Sequence, residues 1–286
     1  MRAACIAPLV AALACGCATA PAAAPEPAQG TAAAEEPGSP DIVEVPVLPS
    51  DGADLVQPVE RLAFEIYAHD IAAWRATDQA MESGFDLAAA GVTGWIAVPD
   101  KGHQFRVRFI GEGGSVPVSL LDVDLDVSSP RPGLVTERPG GAALEPIEQS
   151  MWRARQLAAR SKFRTCSDRY NSVVLQAPNS DNWLVYLFAA TPQRELVIGG
   201  HHRFLVSADG GEILESTALS SGCMTIPMDS ESKVVVFTQS ASDEPLETSV
   251  LLSLQVDKPI AFRVPDGSVW IATHGHLWRA REGPGK

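Results

Sequence analysis

The sequence predicts an α+β fold in which two long helices pack on antiparallel sheets. Apolar residues recur at three- and four-residue spacing over 59–81 and again over 146–163, which is typical of amphipathic helices. Each stretch is followed by short apolar runs that turn residues separate, and no helix alternates with these runs. This order favours hairpins over parallel crossovers, and its repetition admits two similar helix-plus-sheet subdomains.

The first predicted helix covers 59–81, with Pro58 near its start, where a missing N–H is tolerated. Its large apolar residues fall on one face, which we expect in the core. These residues are Phe64, Tyr67, Ile71, Trp74 and Met81. Strands are then predicted at 95–98, 104–110 and 116–127.

The segment 128–141 is rich in proline and glycine and is predicted to separate a first folded part, 41–130, from a second, 145–286. In the second helix, 146–163, an apolar face contains Ile147, Met151, Ala154 and Ala158. After Cys166 all apolar runs predict strands, including 250–256, and Asp209-Gly210-Gly211 predicts a hairpin turn. The other predicted strands are 172–176, 183–189, 196–198, 202–206, 213–214, 233–238, 260–264 and 269–273.

The formal net charge of -13 argues against binding nucleic acid through a broad basic surface. It also argues against adhesion to anionic lipid by charge alone. No interior run approaches the roughly 20 apolar residues that a spanning helix needs. Attachment to a membrane is therefore expected only through the N-terminus.

The N-terminus has the features of an export signal. Met1-Arg2 is followed by the apolar run Ala3–Ala14 and by Cys15-Gly16-Cys17. With cysteines at its end, the segment 1–17 resembles the signal peptide of bacterial lipoproteins, in which a peptidase cuts before a cysteine that then carries the lipid. The resemblance implies lipidation of Cys17, which glycine precedes, or of Cys15. Aspartate follows neither cysteine, which implies an outer-membrane location facing the periplasm. The alternative is an ordinary secretory signal cut after an alanine.

Residues 18–40 are mostly alanine, proline, glycine and glutamate, so a disordered tether is predicted. In the folded part, Cys166 and Cys223 are the two cysteines, and a pair in an exported domain predicts a disulfide. Two free thiols or a reactive cysteine are the alternatives.

Four histidines form a candidate metal site: His201, His202, His274 and His276. Neutral imidazole is a good zinc ligand, and three of these side chains would suffice if their strands were adjacent. A hydrolase would combine them with a carboxylate such as Asp209 or Glu212. The alternative is a set of partly exposed histidines near strand ends.

Asp122, Asp124 and Asp126 alternate with apolar residues, so their carboxylates share one strand face. The helix-loop-helix calcium motif requires glycine and glutamate at the places of Val127 and Gly133, so it does not match. We expect a half-buried strand with a charged outer face.

A basic cluster follows Trp152 and consists of Arg153, Arg155, Arg160, Lys162 and Arg164. Such a patch is a candidate contact for an anion or an acidic partner, and Trp152 is expected beside it. A solvated helix face is the alternative.

The segment His202–Glu215, with its Ala208-Asp209-Gly210-Gly211 turn, resembles the strand-turn-strand end of PepSY domains, small secreted modules proposed to inhibit peptidases. No phosphate-cradling loop, nucleophile elbow, zinc-protease motif or dinucleotide fingerprint is present in the sequence. The sequence therefore favours a non-catalytic binding or inhibitory module of the envelope without a cofactor, whose partner is an envelope protein or polymer. A metal-dependent hydrolase and a structural envelope component are the alternatives.

Overall fold

Three helices and fourteen strands make up the part of the chain that the structure describes. In this computed structural model the described residues are 53–114, 116–190, 195–227, 233–256 and 258–280. The predicted signal peptide and tether, with Cys15 and Cys17, lie outside them. The helices are α1 (Ala53–Glu82), α2 (Pro146–Ala159) and α3 (Glu247–Gln255). With several antiparallel sheets, the fold is α+β, as predicted.

The N-terminal sheet contains β1 (Val92–Pro99), β2 (Gln104–Gly113), β3 (Val116–Asp126) and β4 (Leu134–Ala143), joined as consecutive antiparallel hairpins. The strand β4 occupies 134–141 of the segment 128–141 that was predicted to separate the two folded parts. As an edge strand, β4 tolerates Pro139, Gly140 and Gly141, whose composition had indicated a break.

The central sheet has the antiparallel order β5-β6-β8-β9, and a separate ribbon pairs β7 with β10. The C-terminal sheet has the order β11-β12-β13-β14, in which β11 runs parallel to β12 and the other pairs are antiparallel. The strand bounds are β5 Tyr170–Gln176, β6 Trp183–Ala189, β7 Glu195–Val197, β8 His202–Val206, β9 Ile213–Ala218, β10 Thr225–Pro227, β11 Val235–Thr238, β12 Ile260–Arg263, β13 Val269–Thr273 and β14 His276–Ala280.

The core face of α1 differs from the prediction. Its fully buried positions are small or aliphatic: Ala63, Ile66, Ala72, Ala76 and Ala80. By contrast, Phe64, Trp74 and Met81 are 40%, 59% and 58% exposed. Alanines allow the helix axis to come close to the sheets, and the larger side chains are left outside. The helix also begins before Pro58, which lies inside it.

The helix α3 replaces the strand predicted at 250–256. Residues 249–253 are all buried, and a short run buried on every side has no periodicity that distinguishes a helix from a strand. α2 ends at Ala159, earlier than predicted, with Met151, Ala154 and Ala158 buried as expected and Ile147 exposed. In the described residues no helix is both long and apolar enough to cross a membrane.

The two predicted subdomains are not confirmed, since the halves of the chain share a core. Ile96 and Ile110 from the N-terminal sheet pack in one cluster with Met151 of α2 and Phe204 of the central sheet. On the opposite face, α1 packs against the N-terminal sheet and also contributes Ala63 to the core formed with α3 and the C-terminal sheet. The described residues all belong to one compact unit.

Candidate functional site

A cleft of about 150 Å³ lies between the segment after β9, the end of β11 and the first turns of α3. One wall is apolar and includes Phe237 and Leu252, while Thr238 and Thr248 contribute hydroxyl groups. The remaining lining residues are Ile198, Gly199, His201, Leu219, Ser220, Ser221, Gly222, Cys223, Met224, Gln239, Ser240 and Ser249. No carboxylate, lysine or arginine is among these lining residues.

Cys223 lines the cleft and forms the predicted disulfide with Cys166, at a Cα–Cα distance of 5.4 Å. Two glycines allow the chain to pass directly beside it. A Cβ atom on Gly200 would lie 2.4 Å from Sγ of Cys166, and one on Gly199 would lie 2.0 Å from the carbonyl oxygen of Gly222. Larger residues would therefore push the two segments apart and open the cleft.

Hydrogen bonds fix the polar rim. The Ser220 hydroxyl accepts the N–H of Gly200 at 2.7 Å and donates to the carbonyl of Gly222 at 3.1 Å. Gln239 ties the end of β11 to α3, because its Oε1 accepts the N–H of Leu246 at 3.1 Å and the hydroxyl of Ser249 at 3.0 Å. Ser220, Gln239 and Ser249 thus hold the shape of the cleft.

His201 lines the cleft as a neutral group. Its Nδ1 accepts the N–H of Ala189 at 3.2 Å, and burial lowers the pKa of His201 to about 4. A neutral imidazole that accepts at Nδ1 carries its proton on Nε2. His201 therefore does not exchange a proton near pH 7, and the cleft lining is uncharged there.

The structure does not bring the four candidate metal ligands together. His201 and His202 belong to the central sheet region, where Nε2 of His202 lies 2.8 Å from the Ser216 hydroxyl. His274 and His276 lie at the β13–β14 turn of another sheet, so the strand adjacency that a zinc site required is not found. In the described residues, no group of three His, Cys, Asp or Glu side chains could hold a metal ion.

Asp209 and Glu212, the carboxylates considered for a hydrolase, lie at the β8–β9 turn. Asp209 accepts the N–H of Gly211 at 3.0 Å and the hydroxyl of Ser207 at 2.6 Å. These bonds hold the pKa of the Asp209 carboxyl below its usual range and stabilise the predicted hairpin turn.

The predicted basic cluster is divided among different contacts. Arg153 donates from Nε to the Asp209 carbonyl at 2.8 Å, and Arg164 donates to the Ser221 carbonyl at 2.9 Å beside the cleft. Arg160 and Lys162 are exposed. Trp152 is only 6% exposed, so it is a core residue and not the expected contact surface. An aromatic ring at an inward helix position packs in the core irrespective of its basic neighbours.

Arg155 points inward between two tryptophans. Its Cζ lies 5.3 Å from the centre of the Trp95 ring and 5.1 Å from that of Trp152. Nε donates to the Ser172 hydroxyl at 2.8 Å. Burial lowers the pKa of Arg155 to about 10.

Two other desolvated arginines have carboxylate partners. Arg108 donates to Asp122 at 3.0 Å and also bonds to Glu148 in the first turn of α2. Arg203 donates at 2.9 Å to Glu247 in the first turn of α3. Each glutamate lies where the helix dipole favours negative charge. In both networks, therefore, a desolvated arginine pairs with a glutamate in the first turn of a helix.

The aspartates of β3 pair with β2 across the sheet. Asp124 accepts from Arg106 at 2.7 Å, and Asp126 accepts from Gln104 at 2.8 Å. Asp122 is fully buried and also bonds to Arg138 and Ser119, so the expected exposed face ends before this residue. The contacts with Arg108 of β2 and Arg138 of β4 account for the difference.

Sequence reasoning missed the cleft and the Arg155 stack. The sequence did contain one signal for the cleft. Gly199-Gly200 and Ser220-Ser221-Gly222, which precedes Cys223, are both segments of small residues. Two small-residue segments near paired cysteines indicate a close backbone approach.

No protein-family model matches the chain, and neither a curated protein nor a solved structure matches it significantly.

Proposed function

We propose that this chain is an exported, lipid-anchored binding protein whose cleft beside Cys166–Cys223 takes an uncharged group of a larger ligand. The observation that carries the proposal is the neutral lining, in which hydroxyl groups face an apolar wall. Such a lining binds through hydrogen bonds and apolar contact, and it gives no electrostatic preference for a charged group.

The size of the cleft limits the ligand. About 150 Å³ is less than the roughly 300–1,000 Å³ of pockets that enclose drug-sized molecules. One sugar ring or one amino-acid side chain fits this space, and the rest of the ligand would lie outside. An envelope polymer or an envelope protein, held by one residue, satisfies this limit.

The disulfide supports export, because such bonds persist mainly in oxidising compartments. The proposal includes a lipid on Cys17 or Cys15 and a location at the outer membrane facing the periplasm. Mass spectrometry of the mature N-terminus tests this part. We expect an acylated cysteine, and an unmodified N-terminal residue would contradict the anchor.

Filling the cleft tests the binding site. Thr248→Trp places a large ring in the cleft, whereas Thr217→Trp makes the same change at a partly buried position of β9 outside it. We would measure Tm with a panel of uncharged oligosaccharides and uncharged peptides. Saturation at 100 times Kd stabilises a protein by about 2.7 kcal/mol, which raises Tm by several degrees. This rise should occur in wild type and Thr217→Trp only; its persistence in Thr248→Trp would exclude the cleft.

A further inference from the structure

Arg155 has unused hydrogen-bonding capacity. The rings of Trp95 and Trp152 flank its guanidinium group, and the Ser172 hydroxyl takes its Nε proton. Nη1 and Nη2 make no hydrogen bond to any residue that the structure describes, and Arg155 is partly exposed. The in-plane edge formed by these two nitrogens is therefore open to a ligand.

Arg155 differs from other desolvated arginines of this fold in having no carboxylate partner among the described residues. A charge taken out of water is costly unless an opposite charge and hydrogen bonds accompany it. Arg108 and Arg203 have carboxylate partners within the fold. Arg155 has none among the described residues, although the chain as a whole carries a net charge of -13.

The surrounding backbone is shaped around the guanidinium group. A Cβ atom on Gly94 would lie 2.6 Å from Nη1 of Arg155, so the absence of a side chain at Gly94 allows the group to lie on β1. Nε1 of Trp95 is buried and also has no hydrogen-bond partner among the residues that the structure describes. Three donor groups in one stack therefore lack an acceptor.

The direction of approach follows from the available space. An internal space of about 10 Å³ adjoins Trp95 and Ser172, which is enough for one water molecule. A larger group must reach Arg155 from its exposed side. The nearby network of Arg108 and Arg138 with Asp122 and Glu148 contains two charges of each sign, so it does not repel an anion.

We propose that Arg155 is a binding site for a carboxylate group, which accepts hydrogen bonds from Nη1 and Nη2 in the plane of the guanidinium. A planar carboxylate matches this fork with two parallel bonds, and the flanking rings restrict the ligand to that plane. The carboxylate belongs to a small organic acid or to an acidic group of a larger partner. The site is distinct from the cleft and does not depend on the function proposed for it.

Acetate is the probe, and the indole N–H resonances of the six tryptophans report its position. Trp95→Phe and Trp152→Phe assign the two signals in ¹H–¹⁵N spectra. Sodium acetate should shift both signals saturably, while sodium chloride at the same ionic strength should not. Equal shifts with both salts would overturn the proposal, as would no saturable shift with acetate.

Two variants separate fork recognition from charge. Arg155→Lys keeps the charge but loses the planar fork, so acetate binding should weaken about tenfold or more. Gly94→Ala retains Arg155 and displaces its guanidinium group, so binding should also weaken. Arg160→Lys, an exposed position, is the control and should bind as wild type does. Unchanged binding in both Arg155→Lys and Gly94→Ala would overturn the site, even if either variant alone folded poorly.

Inorganic phosphate provides a third comparison at the same ionic strength. Acetate should shift the Trp95 and Trp152 signals at lower concentration than phosphate if the site selects a planar group. If phosphate saturates the shift and acetate does not, the site prefers a tetrahedral anion, and the carboxylate proposal is wrong.

Discussion

Arg108 and Arg155 both lie where α2 meets the N-terminal sheet, but they have opposite surroundings. Arg108 of β2 is paired across the sheet with Ile96, and Arg155 lies over Gly94 on the same strand, β1. Glu148 of α2 pairs with Arg108. Arg155 belongs to α2 itself and lies seven residues after Glu148, which is roughly 10 Å farther along the helix axis.

The hydrogen bonds and charges of the partners decide the electrostatics at each position. Burial alone lowers the pKa of Arg108, but bonds and charges from Asp122 and Glu148 raise it above its ordinary value. For Arg155, burial acts without such partners and lowers the pKa to about 10. The comparison indicates that carboxylate partners stabilise the charge of Arg108 within the fold, whereas Arg155 has no such partner among the described residues.

The largest expected effect comes from Asp122→Asn. This change leaves Arg108 and Arg138 without their shared buried charge, and breaking a buried pair in this way costs about 3–5 kcal/mol. Asp124→Asn is the matched control on the same strand face, since its pair with Arg106 is exposed and should contribute less than about 1 kcal/mol. Urea unfolding measures both. Equal losses in the two variants would show that burial does not distinguish these pairs.

The same comparison predicts a pH dependence with a smaller effect. Although burial alone raises it, hydrogen bonds from Arg108 and Ser119 hold the pKa of the Asp122 carboxyl below its ordinary value of 3.8. A carboxyl whose pKa is lower in the folded state stabilises that state above its unfolded pKa, and this contribution is lost as the pH falls through the folded pKa. The difference in unfolding free energy between wild type and Asp122→Asn should therefore be complete at pH 7 and shrink below pH 3.8. A difference that stays constant down to pH 2 would contradict this assignment of the carboxylate.

The pairing of Asp122 shows what sequence patterning provides and what it lacks. Alternation correctly placed Asp122, Asp124 and Asp126 on one face of β3. It gave no register against β2 or β4, so neither the cross-strand arginines nor the burial of Asp122 could be predicted. Likewise, the paired cysteines were predictable from the cysteine count and from the expectation of export, while the cleft beside them depends on how β11 and α3 pack.

Two helix predictions were wrong: the choice of the core face of α1, and the strand predicted where α3 lies. The strongest apolar stripe of α1 contains Trp74 and Met81, yet the sheets contact the alanine face that includes Ala72 and Ala76. A face prediction that ranks large side chains first overlooks the close approach that alanine allows. α3 was instead predicted as a strand, because burial on every side removes the periodicity by which a helix is recognised in a sequence.

The smallest expected effect on stability is that of Arg155→Met. The change removes a cation–π contribution of about 0.5–2 kcal/mol and the bond to Ser172, but it also removes the cost of burying a charge without a carboxylate. These opposing contributions should leave the free energy of unfolding within about 1 kcal/mol of wild type. Arg108→Met is the matched comparison and should lose about 3–5 kcal/mol, because Glu148 would then remain buried without its arginine and Asp122 would keep only its pair with Arg138. Urea unfolding of both variants measures these losses of unfolding free energy. A loss for Arg155→Met as large as that for Arg108→Met would show that Arg155 stabilises the fold. Unchanged stability of Arg155→Met combined with lost acetate binding would assign Arg155 to ligand recognition.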